Sequence, residues 1–355
     1  MLAKKYVVTT IKFIRICILF YTLVLPFALS VKGQDHLYSQ FFNSPVYLNP
    51  ALNGQFEGDF RMNMIYRNQY TSSGNNSNYE TASVDYNIPK FGGGVGLLYT
   101  RSSEGNAFLT TNNIAGIYSY SVGSDQYVLS FGLQAGVSNQ SIDYSRLVFD
   151  DQIDPRYGII PGSVSAAGAI PFNSHYYFDA GTGINLVVGN FMIGGAAQHL
   201  NQPNTSLTGV PSKIPVRVTS YVSYRMDLDA DENMDDDQKS YLIPSAVYYK
   251  QAGAQSASMG MEYKRRSVAA GLWYRTGGSD GPSAVVVSLV FDIFVNHDTG
   301  EKFKLGVSHD VPVSGLNYTN TSGTTEGSIN YETVNPYRDA DYHRFQGATR
   351  CYDFY

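Results

Sequence analysis

From Gly58 onward the sequence alternates apolar and polar residues with a period of two, in runs of about ten residues separated by turn formers. Successive side chains of a strand point to opposite faces, so each run separates an apolar environment from a polar one. Between Val216 and Leu228, the residues Val216, Val218, Val222, Tyr224, Met226 and Leu228 fall on one face. Arg217, Thr219, Ser223, Arg225 and Asp227 fall on the other. The same pattern sets Phe60, Met62, Met64 and Tyr66 against Arg61, Asn63, Arg67 and Gln69, and Tyr127, Leu129, Phe131, Leu133 and Ala135 against Ser130, Gly132 and Gln134. About fourteen such strands are expected, near 58–70, 79–88, 93–101, 111–122, 126–138, 176–188, 191–200, 214–228, 241–250, 256–264, 267–276, 283–293, 302–311 and 326–333. Each has the length a tilted strand needs to cross a bilayer.

Composition decides what surrounds these strands. Only 15% of residues are charged, against 14% aromatic, with 29 Tyr and 34 Gly; an ordinary soluble domain carries about 25% charge. Mean hydropathy is nevertheless −0.20, and no run of about 20 apolar residues follows the first thirty positions, which excludes a polytopic helical membrane protein. A soluble β-sandwich or secreted propeller shares the period and the turns but normally carries more surface charge. The expected fold is therefore all-β: a transmembrane antiparallel β-barrel of about 14 strands over 58–333, with an N-terminal extended segment and a short C-terminal extension. With the N-terminal segment in the periplasm, the outer loops are 71–78, 102–110, 139–175, 201–213, 251–255, 277–282 and 312–325, mostly longer than the inner turns, as in outer-membrane barrels.

Residues 1–33 read as a signal peptide. Lys4, Lys5, Lys12 and Arg15 precede an apolar core from Ile16 to Ser30, broken by Pro26, and Val31-Lys32-Gly33 suits cleavage before Gln34. Cys17 lies within that core without a small residue before it, which argues against lipoprotein processing. Cleavage removes five of the 25 basic residues and none of the 30 acidic ones, moving the net charge from −5 to −10. An acidic mature chain has no electrostatic footprint for nucleic acid. Cys351 alone remains, so no intrachain disulfide framework exists.

The block Gln34-Asp35-His36-Leu37-Tyr38-Ser39-Gln40-Phe41-Phe42, then Ser44-Pro45-Val46-Tyr47-Leu48-Asn49-Pro50-Ala51-Leu52-Asn53-Gly54, is followed by Tyr66-Arg67-Asn68-Gln69-Tyr70. A second block runs Leu129-Ser130-Phe131-Gly132-Leu133-Gln134-Ala135-Gly136, then Leu147-Val148-Phe149-Asp150-Asp151-Gln152-Ile153-Asp154. Together they resemble the PorP/SprF family of Bacteroidetes outer-membrane proteins, associated with type IX secretion and gliding motility, from Gln34 to about Glu332. The resemblance implies an integral outer-membrane barrel that holds or exports a large surface adhesin or other type IX cargo, docks periplasmic and outer-membrane secretion or motility components, or does both. Its partners would be these and outer-membrane lipid, with no cofactor. The alternative is a passive outer-membrane pore for small solutes.

Segment 34–57 is Pro-, Asn- and Gly-rich and is expected to be extended rather than helical. Its aromatics must pack somewhere, either in the barrel as a plug or inner-rim strap, or on a periplasmic partner. Candidate partner-binding residues are Phe41, Phe42, Tyr47, Asn49, Pro50, Arg67, Gln69, Asp150, Asp151, Gln152 and Asp154. The last four lie in the long loop 139–175, whose length suits a lid, a binding surface or a lumen constriction. The acidic run Asp227–Asp237 spaces oxygen donors like a calcium loop but carries Glu232 and Gln238 where Gly and Glu are needed, which favours a solvated turn. The histidines His36, His175, His199, His297, His309 and His343 show no ligand spacing, and there is no G-x-S-x-G elbow, so no enzyme is expected. Gly92-Gly93-Gly94-Val95-Gly96 opens a strand rather than a helix, which suits close backbone approach rather than phosphate binding. Residues 334–355 read as a periplasmic extension, with 344–355 as an alternative closing strand.

Overall fold

The computed structural model describes residues 35–72, 77–88, 91–105, 109–143, 147–166, 174–207, 209–229, 239–277, 283–296, 301–313, 318–334 and 350–355. The proposed signal peptide and most of the acidic run (230–238) lie outside these residues.

Fourteen strands close into one antiparallel ring: β1 (Phe60–Gln69), β2 (Ser77–Ile88), β3 (Gly93–Glu104), β4 (Leu109–Ser124), β5 (Tyr127–Ile142), β6 (Ser174–Val188), β7 (Phe191–Gln198), β8 (Arg217–Tyr224), β9 (Ser240–Gln251), β10 (Ala254–Arg265), β11 (Val268–Thr276), β12 (Ala284–Asn296), β13 (Glu301–Pro312) and β14 (Thr324–Thr333). Every strand pairs with its sequence neighbours. The ring is sealed where β14 meets β1, from Phe60↔Thr333 to Gln69↔Thr324, and no edge remains to expose unpaired peptide groups. The strands differ in length: β4 and β5 have 16 residues each, whereas β7 and β8 have 8.

The connections between sequence-neighbouring strands sort to two ends. One end bears 70–76, 105–108, 143–173, 199–216, 252–253, 277–283 and 313–323. The other bears the tighter links 89–92, 125–126, 189–190, 266–267 and 297–300, with 225–239 as its single long one. We call these the long-loop and short-turn ends; the first faces the cell exterior in outer-membrane barrels.

The alternation resolves into outside and inside. On β1, Met62, Met64 and Tyr66 are exposed, as a lipid-facing wall requires, and Arg61, Asn63, Ile65 and Arg67 are buried. Arg61 and Asn63 are fully buried because the lumen is filled. Residues 35–59 run through it from the long-loop end, where the Asp35 amide donates to Gln251 (2.8 Å), to the short-turn end, where the Asp59 amide donates to the Thr333 carbonyl (2.9 Å). Of the placements open to this segment, the plug describes its path, while the inner-rim strap, the periplasmic docking and the extended backbone are corrected. The segment spans the lumen, and it is built from single helical turns at Phe41–Asn43, Pro45–Leu48 and Pro50–Leu52. Pro45 and Pro50 each begin a turn, the position where their fixed φ and missing N–H cost nothing. With no strand alongside, such turns satisfy backbone groups locally.

The wall is relieved where the segment passes. A Cβ on Gly132 would collide with the backbone of Pro50 and Ala51, and one on Gly94 with the backbone of Gly54. The glycine run at 92–96 therefore gives close backbone approach between wall and lumen segment. Near the short-turn end Arg61 donates to both carboxylate oxygens of Asp85 (3.0 and 2.7 Å), which also accepts from the Gly54 amide (2.7 Å). Removing one partner of a buried pair leaves an uncompensated charge and costs about 3–5 kcal/mol, whereas an apolar pair of similar volume is near neutral. Asp85→Ala is therefore expected to lower the unfolding midpoint of the detergent-solubilised barrel markedly, and Arg61→Met with Asp85→Leu to recover most of the loss. Unfolding followed by gel shift between folded and heat-denatured forms measures both.

The stretch 334–355 also departs from a periplasmic extension. Among its described residues, Cys351–Phe354 form a helical turn, and Cys351, Phe354 and Tyr355 are buried within the barrel against Phe41, Phe42, Leu48 and Trp273. The closing strand is β14, not 344–355.

Candidate functional site

The lumen segment is held by three polar clusters and one apolar one, in order from the long-loop end. At the mouth, Asp35 meets Nε2 of His199 (2.7 Å) and Arg217 (3.3 Å), and Nδ1 of His199 meets Asp179 (2.9 Å). Arg217 also donates to the Tyr47 hydroxyl (2.6 Å) and to Gln198, and its guanidinium lies over the Tyr47 ring at 4.6 Å. Burial opposes charge on His199, but Asp35 and Asp179 overcome it and raise its pKa to about 9. Burial likewise opposes charge on Asp35, and His199 and Arg217 hold its carboxyl well below the usual carboxylate range.

The second cluster lies just below. The Glu326 carboxylate accepts from the amides of Ser39 (2.8 and 3.0 Å) and Gln40 (2.9 Å) and pairs with Arg67. Arg67 and Arg275 both reach Asp310 (3.4 and 2.7 Å), which accepts the Ser39 hydroxyl (2.8 Å). Charge-assisted bonds of this kind are roughly twice as strong as neutral ones. The third is the Arg61–Asp85–Gly54 group near the short-turn end.

The candidate residues divide between these surroundings and the loop. Phe41 packs edge-on to Trp273 (4.9 Å), and Phe42 contacts Tyr221 (5.9 Å) and stacks on Tyr355 (5.5 Å). Asn49 donates to the Ile184 carbonyl (2.9 Å) and the Tyr221 hydroxyl (3.0 Å) and accepts the Ala51 amide (2.9 Å). Pro50 seats on Gly132, and Gln69 accepts from Arg67 (3.2 and 3.3 Å). Phe41, Phe42, Tyr47, Asn49, Pro50 and Arg67 are all buried, so in this conformation their partner is the barrel wall.

Asp150, Asp151, Gln152 and Asp154 stand apart in the connection 143–173, at the long-loop end. Asp150–Gln152 form a helical turn leading into a small hairpin, Ile153–Asp154 against Gly158–Ile159. Asp154 accepts the amides of Arg156 (2.7 Å) and Tyr157 (3.0 Å), Asp151 that of Ala166 (2.9 Å), and Gln152 donates to the Ser163 carbonyl (2.8 Å). These bonds shape the loop and project apolar side chains outward: Tyr157 is 87% exposed, Val164 93% and Ile159 62%.

Sequence reasoning missed Asp35, His199, Arg217, Arg275, Asp310 and Glu326 as a holding apparatus. Arg217, Arg275, Asp310 and Glu326 lie on the polar face of the alternation, which announced a polar lumen, whereas Asp35 and His199 lie outside the strands; nothing announced that the chain itself would fill the lumen. The Cys351 thiol lies 3.6 Å from the Gln55 carbonyl, and burial pushes it up to about 11.

A family model described as "Type IX secretion system membrane protein PorP/SprF" matches residues 30–331. The chain belongs to the PorP/SprF family. Membership makes this barrel a type IX secretion membrane protein, and barrel and family together place it in the outer membrane. No curated protein matches. Among solved structures, this PorP/SprF barrel is similar to the Acinetobacter baumannii outer membrane protein Omp33 (9% identity, 78% of this chain and 98% of that one, TM-score 0.39). It is also similar to a deletion mutant of the monoaromatic hydrocarbon channel TodX (11%, 81% and 92%, 0.45) and the β domain of the Bordetella autotransporter BrkA (13%, 79% and 100%, 0.35).

The mouth cluster gives a pH dependence. A histidine whose pKa rises from 6.5 to about 9 on folding stabilises the folded state fully below pH 6.5 and loses that contribution as pH climbs through about 9. Wild type is therefore expected to melt above His199→Gln at pH 6, with the gap closing by pH 10. Thermal unfolding in detergent across that range measures it.

Proposed function

We propose that this PorP/SprF barrel acts as a holding and docking element of type IX secretion. It retains a secreted adhesin or other type IX cargo at its long-loop face and meets periplasmic secretion or motility components at its short-turn face. The observation that carries this reading is the filled lumen. Residues 35–59 and 350–355 occupy the space that a diffusing solute or a translocating chain would need, tied there by Glu326, Asp310, Asp85 and their arginine partners. A barrel filled in this way favours binding at its ends over passage through its middle, which speaks against both the solute pore and export through this lumen.

At the long-loop face, the support is the hairpin at 153–159, where Tyr157 and Ile159 are exposed, with Val164 and Asp150 exposed in the same loop. Apolar side chains rimmed by charge are the usual make-up of a protein contact. The loop bonds of Asp151, Gln152 and Asp154 hold that shape, so their contribution to binding is positional.

Two outcomes are expected. Purified wild type is electrically silent in planar bilayers, whereas Gly132→Val, which blocks the seat of Pro50 and Ala51, conducts if the barrel stays folded by gel shift. Stable wild-type conductance would favour the pore instead. In cells lacking the gene, surface-retained type IX cargo is lost; wild type restores it, and a variant with 150–160 replaced by a Gly-Ser linker does not. Full restoration by the linker variant would remove the hairpin from the proposal.

A further inference from the structure

Near the long-loop end, the lumen segment engages one side of the wall and leaves the other side free. Arg61, Arg67, Arg217, Arg275, Asp310 and Glu326, on β1, β8, β11, β13 and β14, all hydrogen-bond to it directly. From β2 to β6 the inner face is of another kind. Two adjacent rows of inward residues cross these strands in register: Thr81, Thr100, Asn113, Ser138 and Tyr177, then, nearer the mouth, Tyr79, Ser102, Thr111, Gln140 and His175. Hydroxyl and amide side chains make up both rows except at His175. Among the described residues no Lys or Arg lies on the inner face of β2–β6, and the acids flanking the rows are Glu104 at the rim and Asp179 one row below, paired with His199. Among the described residues the segment meets these rows at β2 alone, where Tyr38 donates to Thr81 (2.8 Å) and His36 stacks on Tyr79 (4.3 Å). Within the wall Asn113 donates to Ser138 (2.6 Å) and His175 meets the Asn204 carbonyl (3.0 Å). The hydroxyls of Thr100, Ser102 and Thr111 have no partner among the described residues. Nor do the buried side-chain oxygens of Gln140 and of Gln134, which is 9% exposed and pairs with Ile117 deeper in the lumen. Thr100, Ser102, Thr111, Gln140, His175 and Tyr177 face inward yet are only half-buried, so the space before them opens at the long-loop mouth. Leu98 and Ile117, packed with Val46 and Tyr47 of the segment, close its floor. This space is a blind vestibule.

We propose that this vestibule binds a neutral carbohydrate entering from the long-loop side. A hydroxyl both donates and accepts, and an amide does so at its two ends, so a wall of Ser, Thr, Asn, Gln and Tyr matches the mixed hydroxyls of a sugar. Flanking acids without an inner base from β2 to β6 set the vestibule against phosphate, sulfate and carboxylate groups. Tyr177, stacked with His175 at 6.3 Å, offers an aromatic face to the C–H edges of a pyranose ring. The oxygens of Gln134 and Gln140 lack donors, which sugar hydroxyls bring and a hydrocarbon ligand does not. The site goes beyond cargo retention and is separate from it: it lies on the inner wall rather than on the hairpin at 153–159.

The test uses the whole barrel in detergent, with every variant first checked for folding by gel shift. The probes are neutral oligosaccharides of α- and β-linked glucose, of mannose and of galactose, an oligogalacturonate as their anionic counterpart, and delipidated surface polysaccharide from the cells that make the protein. Saturation-transfer NMR and titration calorimetry read binding. A neutral probe is expected to bind saturably, and Thr111→Val with Gln140→Leu, which keeps shape and removes polar atoms, to weaken it about tenfold or more through the lost hydrogen bonds. Ser102→Tyr, which fills the vestibule without removing a bond of the wall, is the second variant and carries the same expectation. Thr110→Val, on the opposite face of β4, is expected to leave binding unchanged. Absence of binding by every neutral probe and by the surface polysaccharide overturns the inference, as does binding that neither vestibule variant weakens. Tighter binding of oligogalacturonate than of any neutral probe overturns the ligand class. Binding abolished by chelation of divalent ions makes the glutamine oxygens a cation site instead and overturns it too. The Gly-Ser replacement of 150–160 is expected to bind sugar as wild type does, so loss of cargo retention and loss of this site are read apart.

Discussion

Hydrocarbon offers a peptide group no hydrogen-bond partner, so the sheet must close on itself, and the seam between β1 and β14 is where it does so. Ten residue pairs, Phe60↔Thr333 through Gln69↔Thr324, convert an open sheet with two unpaired edges into a ring with none. Everything else is subordinate to that closure. It fixes which face of each alternating strand meets lipid, it creates an interior, and it joins both ends of the strand order at the short-turn rim, where Gly58 and Asp59 leave the lumen to start β1.

A closed interior of this width lined by Arg, Asn, Asp, Glu and Ser must be filled by water or by polar protein. Here protein fills it, and the lumen segment carries matching groups: amides of Ser39 and Gln40 for Glu326, the Ser39 hydroxyl for Asp310, the Asn49 side chain for Tyr221, the Gly54 amide for Asp85. Buried charge is expensive unless paired, so wall and segment depend on each other. The wall's arginines and carboxylates are paired because the segment brings its donors and hydroxyls among them. That mutual satisfaction, rather than any single contact, turns the barrel into a solid body whose two ends are its working surfaces.

The strands were legible from the sequence because alternation is a direct imprint of the two solvents they separate. Even the eight-residue strands Phe191–Gln198 and Arg217–Tyr224 lie within their expected spans. The lumen segment was legible in composition but not in path. Pro45 and Pro50 announced irregular backbone, yet their helical turns are set by contact with the wall, which leaves no period in the sequence. Phe41, Asn49, Arg67 and Gln69 stood out as residues, while their partners did not: Asp35 and His199 are joined across 164 positions, and Ser39 and Glu326 across 287. Nor did the polar stretch after Asn335 suggest that Cys351–Tyr355 would return to the barrel. Its aromatics are spaced for one helical turn, and a single turn carries too little pattern to be told from a tail.

The unequal strand lengths bear on the lipid as well as on the protein. At about 3.3 Å per residue and a tilt near 40°, β7 and β8 rise only about 20 Å, less than the roughly 25 Å apolar band of such barrels, whereas β4 and β5 rise about 40 Å. The bilayer beside β7 and β8 must thin to match, and at β4 and β5, reached across β6 alone, the wall stands above the headgroups. The barrel thus sits in a lopsided collar of lipid, with its shallowest point beside the mouth where Asp35, His199 and Arg217 meet. Neighbouring membrane proteins that share a short hydrophobic wall would gather on that flank at the least elastic cost.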